Sequence, residues 1–409
     1  MRIERVRFQN LLTRLGAGLA AISLCIGAAS SSLAQERLDH AESTAAAMVS
    51  NSNALARLPA LLAEQYPTVR SLVLARRGCM EFEYYKAGLD ARSLSSVRSI
   101  TKSLLAILVG TALDKGYLRL DQKLSELLPE VLDPAIDPHV RDITIRDLLT
   151  MTSGFGSAPF GAKAGVPPPE IWQWILNRPM QHTPGTHFNY DNDGANLLSV
   201  VLTRAVRQNV KTFAEQNLFR PLEITNFNWT ADSDGHLIGA DTLSLTARDM
   251  VKIGLLYLHG GRWGNKQIVS RDYVADSTAK HNDGGFPTGA AYGYLWWVNP
   301  TKTGPDSFFA AGIGSQLIYV VPQLDLVIAM ASNSSVTGGS VRFVNGVVLS
   351  AASVTPSPPT YITRLRGALS DFRQSHRVIS VRRGNCPAPG CRPRGRYTRN
   401  RGIRRVAST

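Results

Sequence analysis

The chain has 409 residues, 44% of them hydrophobic, enough to bury a large core as one big domain or two ordinary ones. Its net charge of +14 sits at the ends: residues 377–409 hold ten arginines and no Asp, Glu or Lys, and removing these with the net +3 of the first 34 residues leaves about +1. A nearly neutral body argues against nucleic acid as the partner, and a solvated basic tail accounts for the rest.

At the N-terminus, Arg2, Arg5, Arg7 and Arg14 precede or open an apolar stretch, residues 15–29, and the small-x-small run Ser32-Leu33-Ala34 stands before Gln35. That layout predicts a secretory signal peptide over 1–34, too short for a membrane span, and an exported protein, periplasmic or secreted. Leu24 stands where a lipoprotein cleavage site before Cys25 needs a small residue, so no lipid anchor is expected.

Residues 41–65 read as a helix, and residues 71–85 alternate around Arg77-Gly78 as a hairpin. Residues 99–113 follow as a helix whose unbroken apolar run, Leu104 to Val109, fits no single face. A helix apolar all round is buried in something large. From 144 to 228 the pattern is helical with long polar loops, including Val166-Pro167-Pro168-Pro169. Strand character returns at 292–298, 308–321 and 324–331, and a helix over 340–350 closes the body. Strands at both ends with helices between predict an α+β domain over 35–353: an antiparallel sheet built from both termini, packed with helices, plus an inserted all-helical lobe. Beyond it, residues 354–409 are rich in Pro, Ser and Arg, and this tail is expected to stay disordered. Its Cys386 and Cys391 are spaced for a small disulfide loop, which leaves Cys79 an unpaired core thiol. The only histidine near them is His376, so no metal is expected, and no cofactor.

Ser99-Ile100-Thr101-Lys102 opens the buried helix. Three residues along a helix return to nearly the same face, so the Ser99 hydroxyl and the Lys102 amine come within reach. A serine hydroxyl needs a neighbour to take its proton, and a lysine desolvated by an apolar helix is a candidate. The free N–H of Ser99 at the helix start is a natural donor to an oxyanion. Tyr190-Asp191-Asn192 lies in a loop before an apolar helix over 195–202, and residues two apart in an extended loop share one side, which aims Tyr190 and Asn192 at one cleft. A phenol whose proton affinity is lowered by a nearby ammonium can act as general base. His182, His187 and the other histidines show neither a Ser-His-Asp arrangement nor metal spacing.

With these motifs the chain resembles the serine β-lactamase-like superfamily, in particular its class C lactamase, esterase and 6-aminohexanoate-dimer hydrolase branch, over roughly 71–353. Further runs carry the likeness: Ile143-Thr144-Ile145-Arg146-Asp147-Leu148-Leu149-Thr150-Met151-Thr152-Ser153-Gly154, Leu218-Phe219-Arg220-Pro221-Leu222 and Thr246-Ala247-Arg248-Asp249-Met250. The resemblance implies a β-lactamase/transpeptidase-like fold and an acyl-enzyme on Ser99, with Lys102 and Tyr190 managing the proton as a coupled pair whose base stays unassigned. Asn192 would orient Lys102 or meet the substrate.

The third family motif, Lys-Thr-Gly or His-x-Gly on an inner strand, is where the sequence departs. Lys302-Thr303-Gly304 reads as a turn between prolines, whereas Gly312-Ile313-Gly314-Ser315-Gln316 sits within strand 308–321 and resembles the glycine-containing version. The Ile313 N–H, between Gly312 and Gly314, would complete the oxyanion hole. Without the cation that holds a lactam carboxylate, an uncharged ester or amide is the expected small-molecule substrate. Of Trp296 and Trp297 at most one faces the site, and Trp297 is the candidate wall of an acyl pocket. Two alternatives remain: a β-lactamase or D-Ala-D-Ala peptidase, and a non-catalytic envelope protein whose basic tail gives weak surface association. The sequence leaves the oligomeric state open.

Overall fold

The computed structural model describes residues 52–156, 171–299, 306–334 and 339–352. The expected signal peptide, the basic tail with Cys386 and Cys391, and Lys302-Thr303-Gly304 lie outside the described residues. The chain divides into two compact units, one of residues 1–56 with 347–364 and one of residues 57–346 with 365–409. The described residues of the first, 52–56 and 347–352, are helical. The sheet and the candidate site belong to the second.

That sheet has eight antiparallel strands drawn from both ends of the sequence. From the N-terminal side come β1 (Val69–Arg76) and β2 (Cys79–Tyr85). A small separate pair is formed by β3 (Leu94–Ser96) and β4 (Ser244–Thr246), and a second by β5 (Arg262–Trp263) and β6 (Lys266–Gln267). The remaining strands are β7 (Asn282–Gly285), β8 (Ala290–Tyr292), β9 (Trp297–Asn299), β10 (Ser307–Gly312), β11 (Gln316–Val321) and β12 (Leu326–Ser332). Their order, β2-β1-β12-β11-β10-β9-β8-β7, places the last strand of the sheet beside the first. The expected two-ended antiparallel α+β architecture is the one found.

Local chemistry explains the joints. The β1–β2 hairpin turns at Arg77 and Gly78, both with positive φ (51° and 73°), the twist a two-residue hairpin loop requires. Strands β11 and β12 are buried along their whole length because both sheet faces are covered. On one face lies helix Ala247–Leu258, where Gly254 lets the backbone approach: a Cβ there would stand 2.4 Å from Val327 Cγ1. On the other, Tyr319 reaches Asn345 with its hydroxyl (2.9 Å).

Two expected strands prove to be hairpins. Residues 292–298 split into β8 and β9 around a turn in which Leu295 has φ 55°. Tertiary hydrogen bonds impose that turn: Leu295 N–H donates to Leu149 O (2.9 Å), and Ser103 Oγ donates to Leu295 O (2.6 Å). They override the strand preference of Tyr292, Tyr294, Trp296 and Trp297. Residues 308–321 likewise fold back at 313–315 between β10 and β11. Cys79, expected as an unpaired core thiol, is disulfide-bonded, with its partner outside the described residues. It begins β2 at the edge of the sheet and is only half-buried, so it was never a core position.

The lobe between β3 and β4 is helical. Its centre is α1 (Ile100–Asp114), buried on every side from Ile100 to Ala112 and packed against both the sheet and α2 (Asn192–Val206).

Candidate active site

Ser99 caps α1 with helical backbone angles (φ −66°, ψ −5°), so its amide lies at the open end of the helix. Arg98 just before it has φ 53°, a left-handed conformation that costs an L-residue about 1 kcal/mol. The bend turns the chain from Val97, whose N–H donates to Leu243 O (2.9 Å), straight into the helix. One turn on, Lys102 Nζ lies 3.1 Å from Ser99 Oγ, 2.7 Å from Asn192 Oδ1 and 2.8 Å from Ala240 O. Lys102 is 1% exposed. Burial draws its pKa down to about 7, outweighing the nearby anions Asp241, Asp191 and Asp193, which pull it up.

Tyr190 closes the group from the opposite side. Its ring centre is 5.1 Å from Lys102 Nζ, and its hydroxyl is hydrogen-bonded to Ser99. The loop carrying it is tied down on both flanks: Asn189 N–H donates to Met151 O (2.8 Å), Asn189 Nδ2 to Phe155 O (3.1 Å), and Asp191 N–H approaches Met151 Sδ (3.3 Å). The long run 143–154 thus does local work, since its helix Ile145–Leu149 is capped by Thr144 and Asp147 and delivers 151–156 to the loop. The expected lowering of the Tyr190 pKa is reversed: burial pushes it up to about 12. Asn192, the first residue of α2, keeps its side chain exposed while accepting from Lys102. Trp297 stacks on the Tyr190 ring (5.5 Å), whereas Trp296 turns away to stack on Tyr257 (4.4 Å). His182 and His187 stack on each other, exposed.

The third wall is the end of β10. Strand β9 pairs only with Ser307, Phe308 and Phe309, so residues 310–312 have no strand partner on that side. Gly312 presses against the backbone at Ser99: a Cβ there would stand 2.5 Å from Val97 O and 3.1 Å from Ser99 N. Ile313, Gly314 and Ser315 form the turn beyond, not strand as expected, because Gly314 (φ 85°) and Ser315 (φ 65°) reverse the chain. Gln316 locks it, exchanging hydrogen bonds with the Ser332 backbone. Ile313 is 49% exposed at the rim. Ala310, two positions before Gly312 on the same strand, is buried.

Sequence reasoning missed four residues around Lys102. Ala240 and Asp241 arrive through the short β3–β4 pair and the bond from Ala240 N–H to Asn196 Oδ1 (3.1 Å), contacts with no local sequence signal. Arg178 and Asp193 form a buried charge cluster beneath the Tyr190 loop. The acid pair flanking Asn192 was a visible hint.

The family described as beta-lactamase matches residues 60–353. The 6-aminohexanoate-dimer hydrolase of Paenarthrobacter ureafaciens is 25% identical over 301 residues, 68% of this chain and 76% of that protein. Among solved structures, a beta-lactamase/D-alanine carboxypeptidase from Pseudomonas syringae superposes with a TM-score of 0.60 at 17% identity, covering 75% of this chain and 99% of that one. An octameric penicillin-binding protein homologue from Pyrococcus abyssi gives a TM-score of 0.61 at 18% identity, covering 76% and 80%. These structures share the fold, and the match over most of the length shows that the chain belongs to the beta-lactamase family and is a serine hydrolase.

Proposed function

We propose that the protein hydrolyses uncharged esters or amides through an acyl-enzyme on Ser99, with neutral Lys102 as the base of acylation. The observation that carries this reading is the set of partners around Lys102 Nζ. Asn192 Oδ1 and Ala240 O can only accept, so in the neutral amine they engage both N–H groups and leave the lone pair aimed at Ser99 Oγ. A pKa near 7 makes that form abundant at neutral pH. Tyr190, pushed up to about 12, stays protonated and serves as the hydroxyl that hands a proton to the leaving group and is refilled through Lys102. The Ser99 and Ile313 N–H groups supply the oxyanion hole, which the contact of Gly312 with the Ser99 backbone supports. Water then releases the acyl group.

The Gly312-Ile313-Gly314 turn carries no cation, which disfavours β-lactams and D-Ala-D-Ala peptides, whose carboxylate needs a partner, and favours neutral esters or amides. The signal-like N-terminus supports export, with cleavage before Gln35. The test is a burst experiment with a chromogenic short-chain ester, a chromogenic cephalosporin and Ser99→Ala. The expected result is a stoichiometric ester burst, absent from the variant, with slow cephalosporin turnover. No burst and no turnover from folded protein would transfer the weight to a non-catalytic, envelope-binding role.

A further inference from the structure

Asp191 and Asp193 flank Asn192, and one guanidinium holds both. Arg178 Nη1 donates to Asp191 Oδ1 and Oδ2 (3.1 and 3.3 Å) and lies 2.9 Å from Asp193 Oδ2 as an ion pair without hydrogen-bond alignment. Its Nη2 donates to Gly156 O, and its Cζ sits 5.3 Å over the Phe155 ring. The side chains of Arg178, Asp191 and Asp193 are only 6%, 2% and 13% exposed. Ion pairs this buried gain little net stability, because desolvation offsets their attraction. What they touch points elsewhere. Asp191 stands between Tyr190 and Asn192, and it caps α2 by accepting from Asp193 N–H (3.1 Å). Phe155, under the guanidinium, holds Asn189 on the other side of Tyr190. The cluster carries one cation and two anions, and both anions act on Lys102. The other charged group facing Lys102 is Asp241, from the segment before β4, and the remaining titratable neighbour is Tyr190.

We propose that Arg178 is a positioning residue for the catalytic centre, holding Tyr190 and Asn192 through Asp191 and keeping the cluster beside Lys102 at a single net negative charge. The inference rests on Ser99 and Lys102 being nucleophile and base. Asp193 is its adjustable member: burial and the Asp191 charge push its carboxyl up to about 6, while Arg178 and Lys102 oppose them.

Three variants of the intact protein separate charge from geometry, each read by NMR titration of the Lys102 ε-carbon and by kcat on a short-chain ester. Asp193→Asn removes one anion at constant shape, so Lys102 is expected to titrate about one pH unit lower. Arg178→Gln combined with Asp193→Asn restores the single negative charge, so the Lys102 titration returns toward wild type while kcat falls by about tenfold or more through lost positioning. Arg178→Lys keeps the charge but not the planar two-carboxylate grip, so the titration stays and kcat alone falls, by about tenfold. A Lys102 titration unmoved by Asp193→Asn, or the same in the single and double variants, overturns the charge role. Wild-type kcat in Arg178→Lys overturns the positioning role. If the double variant fails to fold, the two near-isosteric single variants still test both roles. Because the titration needs no turnover, an inactive protein would refute the hydrolase reading and leave the charge role open to measurement in the same samples.

Discussion

Gly312 is the position where one methyl group should separate stability from chemistry. Alanine there would place Cβ 2.5 Å from Val97 O, 2.9 Å from Arg98 Cβ and 3.1 Å from Ser99 N. The Val97 side cannot yield, since its N–H is bonded to Leu243 O and the next residues enter the buried α1. Residues 310–312 of β10 lack a partner on the β9 side, so β10 gives way, by about 1 Å to recover ordinary contact. Overpacking of this kind costs about 1–3 kcal/mol. With the Ile313 N–H in the oxyanion hole as proposed, a shift of that size pulls it away, and loss of one such donor lowers kcat by about 10²–10³. The assay is kcat on a chromogenic ester beside a thermal melt, with Gly314→Ala as control. Gly314 has φ 85° but meets nothing closer than 3.0 Å, so its alanine variant should lose about 1 kcal/mol of stability and keep most of its kcat. Gly312→Ala with kcat within about threefold of wild type would refute the assignment of this turn to the oxyanion hole.

Lys102→Met should lower kcat by about 10³ or more while leaving the melting temperature at pH 7 unchanged or raised, because it removes a desolvated amine. The sign follows from protonation: between pH 7 and 10.5 the unfolded lysine holds a proton the folded one lacks, so wild-type stability relative to Lys102→Met rises with pH across that window, as melts at several pH values would show. The ester kcat/KM of the wild type should rise through an acid limb near pH 7 as Lys102 loses its proton, and a flat profile from pH 5 to 8 would exclude it as base. Tyr190→Phe should cost about 10²–10⁴ in kcat on an amide and less on an ester with a good leaving group, and equal losses on both would argue against leaving-group protonation. Asp241→Asn should raise the turnover of an anionic ester relative to a neutral one by about threefold to tenfold, a ratio in which effects on Lys102 cancel; an unchanged ratio would place Asp241 away from the substrate.

The parts of this structure legible in the sequence were those encoded by short-range periodicity. The apolar run in α1 gave a helix buried all round, and the i, i+3 spacing put Ser99 beside Lys102 before any tertiary contact was known. Tyr190 and Asn192 were readable as one side of an extended loop. The hairpin at Leu295 was not, because its turn is held by Ser103 and Leu149, far away in sequence, against residues that prefer strands. Asp241, Ala240 and Arg178 were invisible for the same reason. The direction of the Tyr190 shift was misread because the sequence shows a neighbouring cation but not how tightly the ring is packed, and desolvation is the larger effect.

The helix α1 and the low pKa of Lys102 belong together. A helix with a polar face would leave water beside Lys102 and a pKa near its ordinary 10.5, with almost no neutral amine at pH 7. The apolar run of α1, together with the sheet and α2 packed around it, removes that water, and the desolvation outweighs the nearby anions to bring the amine down to about 7. The three anions Asp191, Asp193 and Asp241 then work against the burial, so that the amine stops near neutrality instead of losing its proton altogether. Packing supplies the coarse displacement of the Lys102 pKa and the charge cluster the fine setting, so that in the proposed mechanism Ser99 needs no histidine.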